Sequence, residues 1–501
     1  MNAAEFLLGR EALRRHGARR ALTCGDEAVT YKELAARVER SAAAFAASGV
    51  RPGDRVLLLM SDSVESAAAW LGAVRLGAVT VAVNNRISAA DLSHILADSG
   101  ARLALVEDAF ASEYTAVLRP LATAGHLVTA GNAWQERCAA APVTPVHPAQ
   151  AGDPAFALYT SGTTGRARGV LHSHGSFRQL GRAFQVIGIG PGERVLTTSK
   201  LFFAYGLEHG LLGVLAIGGE SILFPGWPDA EAVADLVARY RPAAVFSVPT
   251  IYRRLLSAPR EKLAPFRAVR RFVAAGERLS RQLVEQWRQA IGGELLNLYG
   301  MSETFCACMV TPPGTSDGLR TGKLLEGVEA RLVDGAEPDQ AGSGVLWIRH
   351  PALAAGYLNL PEQTREQFKD GWFCTRDVFS RDDQGFYVHQ GRSDELVKVA
   401  GQWVWPGELE AVVAGLPSIA EAACVPVPDA DGLERLALFV TARGDAEEAL
   451  RAAADACERA LPRHKRPKWL RAVEQLPRTA TGKVQRFKLR EMLESGEPSA
   501  D

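Results

Sequence analysis

The stretch LYTSGTTGRARGVLHSH, residues 158–174, concentrates glycines, hydroxyl side chains and arginines in a short segment. Its glycines allow the backbone to approach a ligand closely, and Ser161, Thr163 and Thr164 add hydrogen-bond donors. The arginines supply positive charge for phosphate oxygens. No Gly-Lys-Ser/Thr follows the glycines, so the segment is not a Walker A loop. We predict a loop that holds phosphates, with a plain hairpin turn as the alternative.

Apolar strands alternate with helical patterns on both sides of this stretch. DRVLLLM and ARLALVE precede it, separated by alanine-rich helical segments, and the alternation continues after it as far as ELLNLYG, residues 294–300. Such a rhythm predicts parallel strands joined by crossover helices. We therefore predict an α/β fold with two β-α subdomains.

The pattern changes twice in the last third of the chain. From about Arg320, short β-like runs broken by glycine and aspartate predict an antiparallel barrel or meander. After Asp394 a small α+β unit follows. Because 501 residues exceed one ordinary core, we predict an N-terminal domain, residues 1–391, and a mobile C-terminal domain, residues 392–501.

Composition argues against several partners. Lys plus Arg and Asp plus Glu each total 57, so the net charge indicates neither nucleic acid nor an anionic membrane. Seven scattered cysteines favour reduced thiols over disulfides. The N-terminus reads as a surface helix instead of a signal peptide, and the longest apolar region is too short and interrupted for a membrane span. We expect a cytoplasmic protein.

Three further motifs carry polar side chains suited to nucleotide chemistry. NLYGMSETFC, residues 297–306, places Ser302 and Glu303 after an apolar strand, where open α/β sheets bind ligands and a carboxylate can hold Mg²⁺. Asp377 in GWFCTRDV is suited to a ribose diol. Lys483 lies in a glycine-containing turn near the C-terminus. Individually, Glu303 also fits a solvated loop acid, and Lys483 fits an idle surface lysine.

The motifs occur in a fixed order: YTSGTTGRARGV, NLYGMSET, GWFCTRD, GRSDELVKVAG and PRTATGKVQR. In order and spacing they resemble the core motifs of the adenylate-forming acyl-CoA synthetase superfamily, the AMP-binding enzymes. The resemblance implies that a carboxylate and ATP form an acyl-adenylate and pyrophosphate. A thiol, usually that of coenzyme A, then displaces AMP. ATP, Mg²⁺ and coenzyme A are thus the implied cofactor and co-substrates.

The resemblance also implies roles for individual residues. Ser302 would contact the α-phosphate, Glu303 would ligate magnesium, and Lys483 would bridge the attacking carboxylate and the α-phosphate. The implied ATP and AMP contacts are Thr160, Ser161, Gly162, Thr163, Thr164, Gly165 and Arg168 for the phosphates, Gly276, Glu277, Arg278 and Tyr299 for adenine, and Asp377 and Arg392 for ribose. Asp394 would be the hinge of a domain rotation that removes Lys483 and brings Gly401 to the coenzyme A tunnel.

Four positions depart from the family pattern. Ala167 and Arg168 stand where Pro and Lys are usual, and arginine is a planar fork where lysine is a point charge. Ser302 replaces a threonine and keeps the hydroxyl. Arg376 replaces the glycine before the ribose-binding acid, which puts the local backbone geometry in question.

The acyl-binding region, KLFFAYGLEHGLLGVLAIGGESILFPGWP, is similar to that of benzoate-CoA ligases. This resemblance implies an aryl pocket with Phe203 as its gate, formed by Phe203, Ala204, Tyr205, Ala275, Gly300, Met301 and Phe305. Aromatic walls with small residues suit a flat apolar ring, although the same aromatics could simply form core. Glu208 and His209 depart from the benzoate enzymes. If they face the pocket, the substrate carries a polar or amino substituent.

Two other functions remain open. A stand-alone adenylation enzyme would load its acyl group onto the phosphopantetheine of a carrier protein; we favour free coenzyme A because no carrier segment with a serine attachment motif is appended. A silent nucleotide sensor would be expected to lack Lys483 or Glu303, and both are present. The expected partners are a small carboxylic acid, ATP and coenzyme A, without nucleic acid, and the protein is a monomer or homodimer.

Overall fold

The structure is a computed structural model that describes residues 1–161, 166–334, 337–338, 342–393, 397–399, 402–429, 431–478 and 484–494. The chain forms two compact units. The first comprises Met1–Arg331, Trp347–Cys374 and Arg381–Val388, and the second comprises Leu332–Leu346, Thr375–Ser380 and His389–Asp501. The second unit thus includes two stretches of the region expected to form the barrel-like subdomain. The predicted boundary between residues 391 and 392 stays a prediction.

One sheet of the first unit carries the opening motif. Its strand order is Gly356–Tyr357, Ala167–Ser173, Pro154–Ser161, Val79–Ala82, Arg55–Leu59, Leu103–Glu107 and Leu127–Ala130. The last five of these run parallel. The first two pair antiparallel at one edge. Residues 158–174 therefore include both arms of a hairpin within a mainly parallel sheet.

A second sheet carries the NLYG motif. Its strand order is Lys323–Leu324, Met309–Val310, Leu295–Tyr299, Arg271–Ala274, Ala244–Ser247, Arg194–Thr197, Glu220–Leu223, Arg20–Cys24 and Glu27–Thr30. The strands from Leu295–Tyr299 to Arg20–Cys24 are parallel neighbours. These two sheets, with their crossover helices, confirm the predicted α/β fold.

The helices of the first unit begin and end at recognisable signals. Thr30 and Glu33 form a capping box at the start of Tyr31–Ala47, and Gly77 ends Val64–Leu76 with a φ of 82°. The remaining α-helices are Ala3–Leu8, Arg10–His16, Ala89–Ser99, Asp108–Glu113, Thr115–Thr123, Asn132–Ala140, Arg182–Ile187, Ala204–Leu207, Gly213–Ala216, Ala230–Tyr240, Pro249–Leu256, Arg260–Leu263, Arg281–Ile291 and Pro361–Gln367. His174–Gln179 and Ala264–Ala268 are 3₁₀ helices, and Glu208–Leu212 is π-helical.

The cores of the first unit form between these sheets and helices. Strands such as Arg55–Leu59 are apolar almost throughout because helices cover both faces of a parallel sheet. Helices Tyr31–Ala47 and Val64–Leu76 pack closely. A Cβ at Gly72 would lie 2.6 Å from Cβ of Ser41, so glycine permits this approach. The first helix, Ala3–Leu8, was expected at the surface, yet it buries its leucines in the same core.

A third sheet follows, with the order Glu337–Pro338, Glu329–Asp334, Ser343–Arg349, Trp372–Arg381 and Phe368–Lys369, and with Tyr387–Arg392 paired to Trp372–Arg381. In the second unit, Val397–Val399 pairs with Gln402–Val404, and a further sheet has the order Ile419–Pro428, Glu434–Ala442 and Trp469–Ala472. The C-terminal helices are Pro406–Val413, Ala446–Ala460, the 3₁₀ helix Arg463–Lys465 and Arg486–Glu494. This is the predicted small α+β arrangement.

None of the helices in the described ranges has the length and apolar character needed to cross a membrane.

Candidate active site

The candidate site begins at the carboxyl ends of three neighbouring parallel strands, Ala244–Ser247, Arg271–Ala274 and Leu295–Tyr299. Ala275 extends the second strand by donating its N–H to the carbonyl oxygen of Ser247 over 3.2 Å. This sheet edge is where ligands bind in open α/β folds. The structure therefore places the segments after Ala274 and Tyr299 where the sequence predicted a binding site.

The turn after Tyr299 holds the NLYG motif in a compact loop. The chain folds back so that Cys308 donates its N–H to the carbonyl oxygen of Tyr299 over 2.8 Å. A Cβ at Gly300 would lie 3.3 Å from Cα of Ala307, which is a tight approach. Met301, Ser302 and Glu303 are only partly buried within this loop. The predicted phosphate contact, Ser302, and the predicted metal ligand, Glu303, thus lie at the strand end in a closely packed turn.

His172 fixes the backbone of this loop. Its Nε2 lies 2.7 Å from the carbonyl oxygen of Ser302, and its ring stacks on Phe156 with centroids 4.8 Å apart. Burial lowers the pKa of His172 to about 4, so the ring is neutral at physiological pH. Since a carbonyl oxygen only accepts, the proton lies on Nε2. The VLHSH end of the opening stretch therefore positions Ser302, a role that the sequence analysis missed.

Glu303 is oriented by a tyrosine from a distant segment. The hydroxyl of Tyr357 donates to Oε1 of Glu303 over 2.8 Å and also lies 2.9 Å from Oε1 of Gln367. In the described part of the chain, Oε2 of Glu303 meets no hydrogen-bond donor. A carboxylate with one oxygen free for a hard cation suits Mg²⁺. The residues present therefore fit the metal that the family motif implies.

Arg168 completes this arrangement from the opening stretch. Its guanidinium lies over the ring of Tyr357, 4.6 Å from the centroid, and its Nη1 donates to Oε1 of Gln363 over 3.3 Å. A planar guanidinium both stacks and donates in this way, whereas an ammonium has no face to stack. The departure at position 168 thus has a defined structural role: it connects the hairpin to the tyrosine that holds Glu303.

The structure describes the two paired arms of the hairpin. Thr160 pairs with Arg168, and the backbone of Ser161 pairs with Ala167. A Cβ at Gly169 would approach Cδ1 of Leu358 to 2.8 Å, so the side chain of Leu358 packs closely against this glycine. The predicted phosphate contacts Gly162, Thr163, Thr164 and Gly165, and the side chain of Ser161, lie outside the described residues.

The predicted adenine segment, Gly276 to Arg278, is exposed at the same strand edge. Gly276 has a φ of 81°, which only glycine adopts readily. The carboxylate of Glu277 accepts from the N–H and the hydroxyl of Thr250, at 3.2 and 2.7 Å, at the start of helix Pro249–Leu256. The side chain of Glu277 is therefore engaged at the start of that helix, and the adenine contact of this segment stays a prediction.

The second unit holds the predicted ribose pair. Arg392 donates from Nη1 to Oδ1 of Asp377 over 3.3 Å, and Nε2 of His389 lies 3.7 Å from the same oxygen. The N–H of Asp377 donates to the hydroxyl of Thr375 over 3.0 Å. Asp377 and Arg392 are therefore adjacent, as the motif implies. His389 is an additional neighbour that the sequence analysis did not name.

Arg376 adopts a conformation that suits glycine. Its φ is 61°, and its carbonyl oxygen accepts from the N–H of Ser393 over 2.7 Å. A side chain in the left-handed region costs about 1–2 kcal/mol relative to glycine. Arg376 therefore holds a glycine-like conformation within strand Trp372–Arg381, which adds strain next to Asp377.

Besides the four residues of the phosphate loop, three more predicted residues fall outside the described residues: the catalytic Lys483, the hinge Asp394 and the coenzyme A contact Gly401. Their roles stay predictions.

The predicted acyl-pocket residues occupy different environments. Phe203 and Ala204 are partly buried, and Phe203 packs edge-on against Phe202 with centroids 4.7 Å apart. The hydroxyl of Tyr205 donates to the carbonyl oxygens of the strand ends at Ser247 and Val273, at 3.3 and 3.2 Å. Tyr205 and Ala275 thus share the carbonyl oxygen of Ser247 as an acceptor.

Phe305 is the pocket candidate most deeply buried in the core. Its ring lies 4.7 Å from that of Phe156 and 6.4 Å from that of Phe177, and its φ is 56°. These contacts place the ring in the main hydrophobic cluster of the first unit. The predicted roles of Phe305 and Met301 in lining an acyl pocket stay predictions.

Glu208 and His209 form a polar pair in apolar surroundings. The carboxylate of Glu208 accepts the N–H of Ala307 over 3.0 Å, and its Oε2 lies 3.3 Å from Nδ1 of His209. Burial raises the pKa of Glu208 to about 8, although the N–H of Ala307 and the thiol of Cys306 oppose the shift. Burial also lowers the pKa of His209 to about 3. Both side chains are therefore predominantly neutral near pH 7.

The residues that the sequence analysis missed share one feature. Tyr357 lies in AAGYLNLPEQT and His172 in VLHSH, and each acts through a contact with a residue more than fifty positions away. Their polar character inside otherwise apolar strands was the signal available. It identifies an unusual position without identifying the partner.

Comparison with known proteins shows the same organisation over the whole chain. The AMP-binding enzyme family matches residues 9–358, and the AMP-binding enzyme C-terminal domain matches residues 408–483. The 3-hydroxybenzoate–CoA ligase of Aromatoleum sp. (strain CIB) is 40% identical over 512 aligned positions, which cover 99% of this chain and 98% of that protein.

Two solved structures are also similar over their full lengths. A benzoate CoA ligase from Burkholderia xenovorans LB400 is 32% identical with a TM-score of 0.88, covering 98% of this chain and 100% of that one. An anthranilate CoA ligase in complex with anthranoyl-AMP is 28% identical with a TM-score of 0.89, covering 99% and 98%. The ordered motifs, the braced Glu303 loop and these matches lead to one conclusion: the chain belongs to the AMP-binding enzyme family.

Proposed function

We propose that this chain is an ATP-dependent aryl-CoA ligase, which activates an aromatic carboxylic acid as its acyl-adenylate and transfers the acyl group to coenzyme A. The observation that carries the proposal is the position of Glu303, held by Tyr357 and, through it, by Arg168 of the hairpin. This arrangement joins a hard carboxylate oxygen, a phosphate-loop arm and the carboxyl ends of parallel strands in the first unit. Those are the elements that adenylate formation requires.

The first half-reaction joins the acid to AMP. A carboxylate oxygen attacks the α-phosphorus, the bond between that phosphorus and the oxygen leading to the β-phosphate breaks, and pyrophosphate leaves. Mg²⁺, when bound by Glu303, offsets the negative charge of the phosphates. His172 fixes the backbone of Ser302, whose hydroxyl would contact the α-phosphate. Lys483 is the proposed cation between the two anionic reactants.

The second half-reaction makes the thioester. The sulfur of coenzyme A attacks the acyl carbon, the bond between that carbon and the AMP oxygen breaks, and AMP leaves as the thiol proton passes to solvent. We propose that rotation about Asp394 exposes the adenylate to the thiol and that Gly401 lines the access path. A carrier-protein phosphopantetheine presents the same thiol arm and is the second candidate acceptor.

An aromatic substrate is supported by two observations. The substrates named for the three similar proteins are all aromatic acids. In this chain, Tyr205 is anchored to the strand ends beside Ala275, so an aromatic wall and a small residue adjoin at the sheet edge. Such a combination suits a flat ring. We further propose a cytoplasmic enzyme that acts as a monomer or homodimer.

A pyrophosphate-release assay tests the proposal. Purified protein with MgATP is given benzoate, hydroxybenzoates, aminobenzoates and straight-chain acids, with and without coenzyme A, and the thioester is identified by mass spectrometry. We expect release with aromatic acids and an aryl-CoA product when coenzyme A is the only thiol. Glu303→Gln should reduce release by about 100-fold or more, whereas Glu285→Gln, an exposed helix acid, should not.

Two results would contradict the proposal. A clear preference for straight-chain acids would exclude the aryl assignment. Acyl-adenylate formation without any coenzyme A thioester would favour the carrier-protein alternative.

A further inference from the structure

A polar pair lies inside the helix that follows the predicted acyl gate. The π-helical segment Glu208–Leu212 interrupts the helical run between Ala204–Leu207 and Gly213–Ala216. It buries Glu208 at 3% exposure and His209 at 1%. π-Helical turns are rare and occur frequently at functional sites. Two buried ionisable side chains on such a turn require a physical explanation.

The surroundings of His209 are aromatic. Its ring stacks on Phe246 with centroids 4.8 Å apart and lies 5.1 Å from the ring of Tyr205 and 5.7 Å from that of Phe184. These rings supply dispersion contacts but no conventional acceptor or donor at the imidazole edge. The polar partners of the ring must therefore come from elsewhere.

The contacts at Nδ1 determine the tautomer of His209. Nδ1 lies 3.3 Å from the carbonyl oxygen of Tyr205 and 3.3 Å from Oε2 of Glu208. A carbonyl oxygen only accepts, so Nδ1 carries the proton. Because burial keeps the ring neutral, Nε2 is then an unprotonated acceptor.

This acceptor is unsatisfied within the protein. Nε2 of His209 is buried, and no described residue provides it with a hydrogen-bond partner. Leaving a buried polar atom unpaired is unfavourable, and native structures contain few such atoms. A ligand that brings a donor to this position would remove the penalty. A ligand that brings only an acceptor or an apolar group would not.

The polar pair borders the predicted acyl pocket on two sides. On one side, Tyr205 shares the carbonyl oxygen of Ser247 with Ala275. On the other, Ala307 donates its N–H to Glu208 and lies against Gly300. Tyr205, Ala275 and Gly300 are all predicted pocket residues. The pair therefore contacts Tyr205 directly and the loop of Gly300 through Ala307.

We propose that Nε2 of His209 accepts a hydrogen bond from a donor substituent on the aromatic ring of the substrate, foremost a phenolic hydroxyl, and that Glu208 is the positioning residue that holds the imidazole in this tautomer. The inference rests on the proposed aryl-CoA ligase function and specifies its substrate class. An amino substituent offers the same kind of donor. Fluoro and methoxy substituents offer none.

The unmodified enzyme provides the first test. Pyrophosphate release is measured with benzoate and with the three positional isomers of hydroxybenzoate, fluorobenzoate and methoxybenzoate. We expect kcat/KM for one hydroxy isomer to exceed that of the matching fluoro isomer by about 10- to 100-fold. Equal or better activation of the fluoro isomers at every ring position overturns the inference.

Variants test whether His209 is responsible for the preference for hydroxy over fluoro isomers. His209→Phe should reduce the hydroxy-to-fluoro ratio to near one while benzoate is still activated, and His209→Gln, which retains an acceptor, should restore part of the ratio. Phe184→Leu is the matched control because it alters packing on the same ring without removing a polar atom. It should change turnover of both acids by the same factor.

Glu208 is tested through the same ratio. Glu208→Gln keeps an oxygen that accepts from Nδ1 and should keep the preference, whereas Glu208→Leu should lower it. If Glu208 has a purely structural role, Glu208→Leu will change kcat/KM for the hydroxy and fluoro acids by the same factor. An unchanged hydroxy-to-fluoro ratio in this variant would therefore contradict the positioning role.

The outcomes separate the inference from the function on which it rests. Activation of no aromatic acid refutes the proposed function. Activation of benzoate with an unchanged ratio in His209→Phe refutes only the inference. If His209→Phe does not fold, the comparison of hydroxy and fluoro isomers in the unmodified enzyme still tests whether a donor substituent is preferred.

Discussion

The hydroxyl of Tyr357 lies 2.8 Å from Oε1 of Glu303 and donates a hydrogen bond to it. The two residues come from different sheets of the first unit: Tyr357 ends an edge strand of the sheet that carries the hairpin, and Glu303 follows the strand that carries the NLYG motif. This hydrogen bond and the stacking of Arg168 on Tyr357 together connect the two motifs that the sequence associates with phosphates and magnesium.

Removing this hydrogen bond should slow adenylate formation. A hydrogen bond to a charged group contributes about 1.5–3 kcal/mol. Tyr357→Phe should therefore reduce the rate of pyrophosphate release by about tenfold or more and raise the Mg²⁺ concentration needed for half-maximal rate. Tyr240→Phe removes a comparable hydroxyl contact, to the carbonyl oxygen of Gly25, and should have no such effect. An unchanged Mg²⁺ dependence in Tyr357→Phe would show that Tyr357 does not orient Glu303.

Restoring the family lysine at position 168 should weaken the same network. Arg168→Lys keeps the charge but loses the stacked guanidinium on Tyr357 and its hydrogen bond to Gln363. A cation–π contact contributes about 0.5–2 kcal/mol, so we expect kcat/KM for MgATP to fall by about 3- to 10-fold. Single-turnover measurement of the adenylation step checks this. Arg239→Lys, which removes a guanidinium that lies 5.0 Å from the ring centroid of Tyr240, serves as the control, and equal effects of both substitutions would contradict the role of stacking.

Replacing Arg376 by glycine should stabilise the protein. The left-handed φ of Arg376 costs about 1–2 kcal/mol, which glycine would remove. Glycine also has a greater conformational entropy in the unfolded state, which lowers the free energy of unfolding by about 0.5–1 kcal/mol. We expect a net increase of about 0.5–1 kcal/mol in the free energy of unfolding, measured by urea denaturation. Arg381→Gly, at an ordinary φ in the same strand, should destabilise instead. Loss of stability in Arg376→Gly would mean that the arginine side chain makes contacts worth more than the strain.

Glu208 should make stability decrease with rising pH. Its folded-state pKa is about 8, above the ordinary value of 4.5. Between these values the unfolded carboxyl is ionised while the folded one keeps its proton. The stability contributed by neutral Glu208 is thus complete below pH 4.5 and is lost as the pH rises through 8.

Urea unfolding at several pH values measures this contribution. Relative to Glu208→Gln, the unmodified protein should lose stability by up to about 1.4 kcal/mol for each pH unit between 4.5 and 8. His209 contributes an opposite slope at lower pH, since its pKa is depressed, and this slope is common to both proteins. Parallel stability curves for the two proteins would show that Glu208 is not buried in neutral form. Glu285→Gln, an exposed substitution, should give parallel curves.

Local patterns in the sequence predicted the α/β class and the alternation of strands and helices. They did so because strand and helix periodicities act over a few positions. The ordered motifs identified the family because each motif is a short contiguous segment. The residues of each motif and the spacing between motifs are evident from the sequence without knowledge of the fold.

The partners within the site could not be derived from the same patterns. Arg168, Tyr357 and Glu303 are far apart in sequence, and their contact depends on sheet order and on which edge each strand occupies. A polar residue in an apolar strand signals that a partner is needed, but many partners satisfy that need equally well. Only the packed structure selects one.

The sequence by itself therefore determined the fold class, the order of the nucleotide motifs and the residue types available for chemistry. The tertiary structure decided which of these residues act together: that Arg168 reaches Glu303 through Tyr357, that Arg376 carries backbone strain, and that His209 has an acceptor without a partner. The physical reason is that periodicity and turn chemistry are local properties, whereas burial and hydrogen-bond geometry exist only after distant segments have packed.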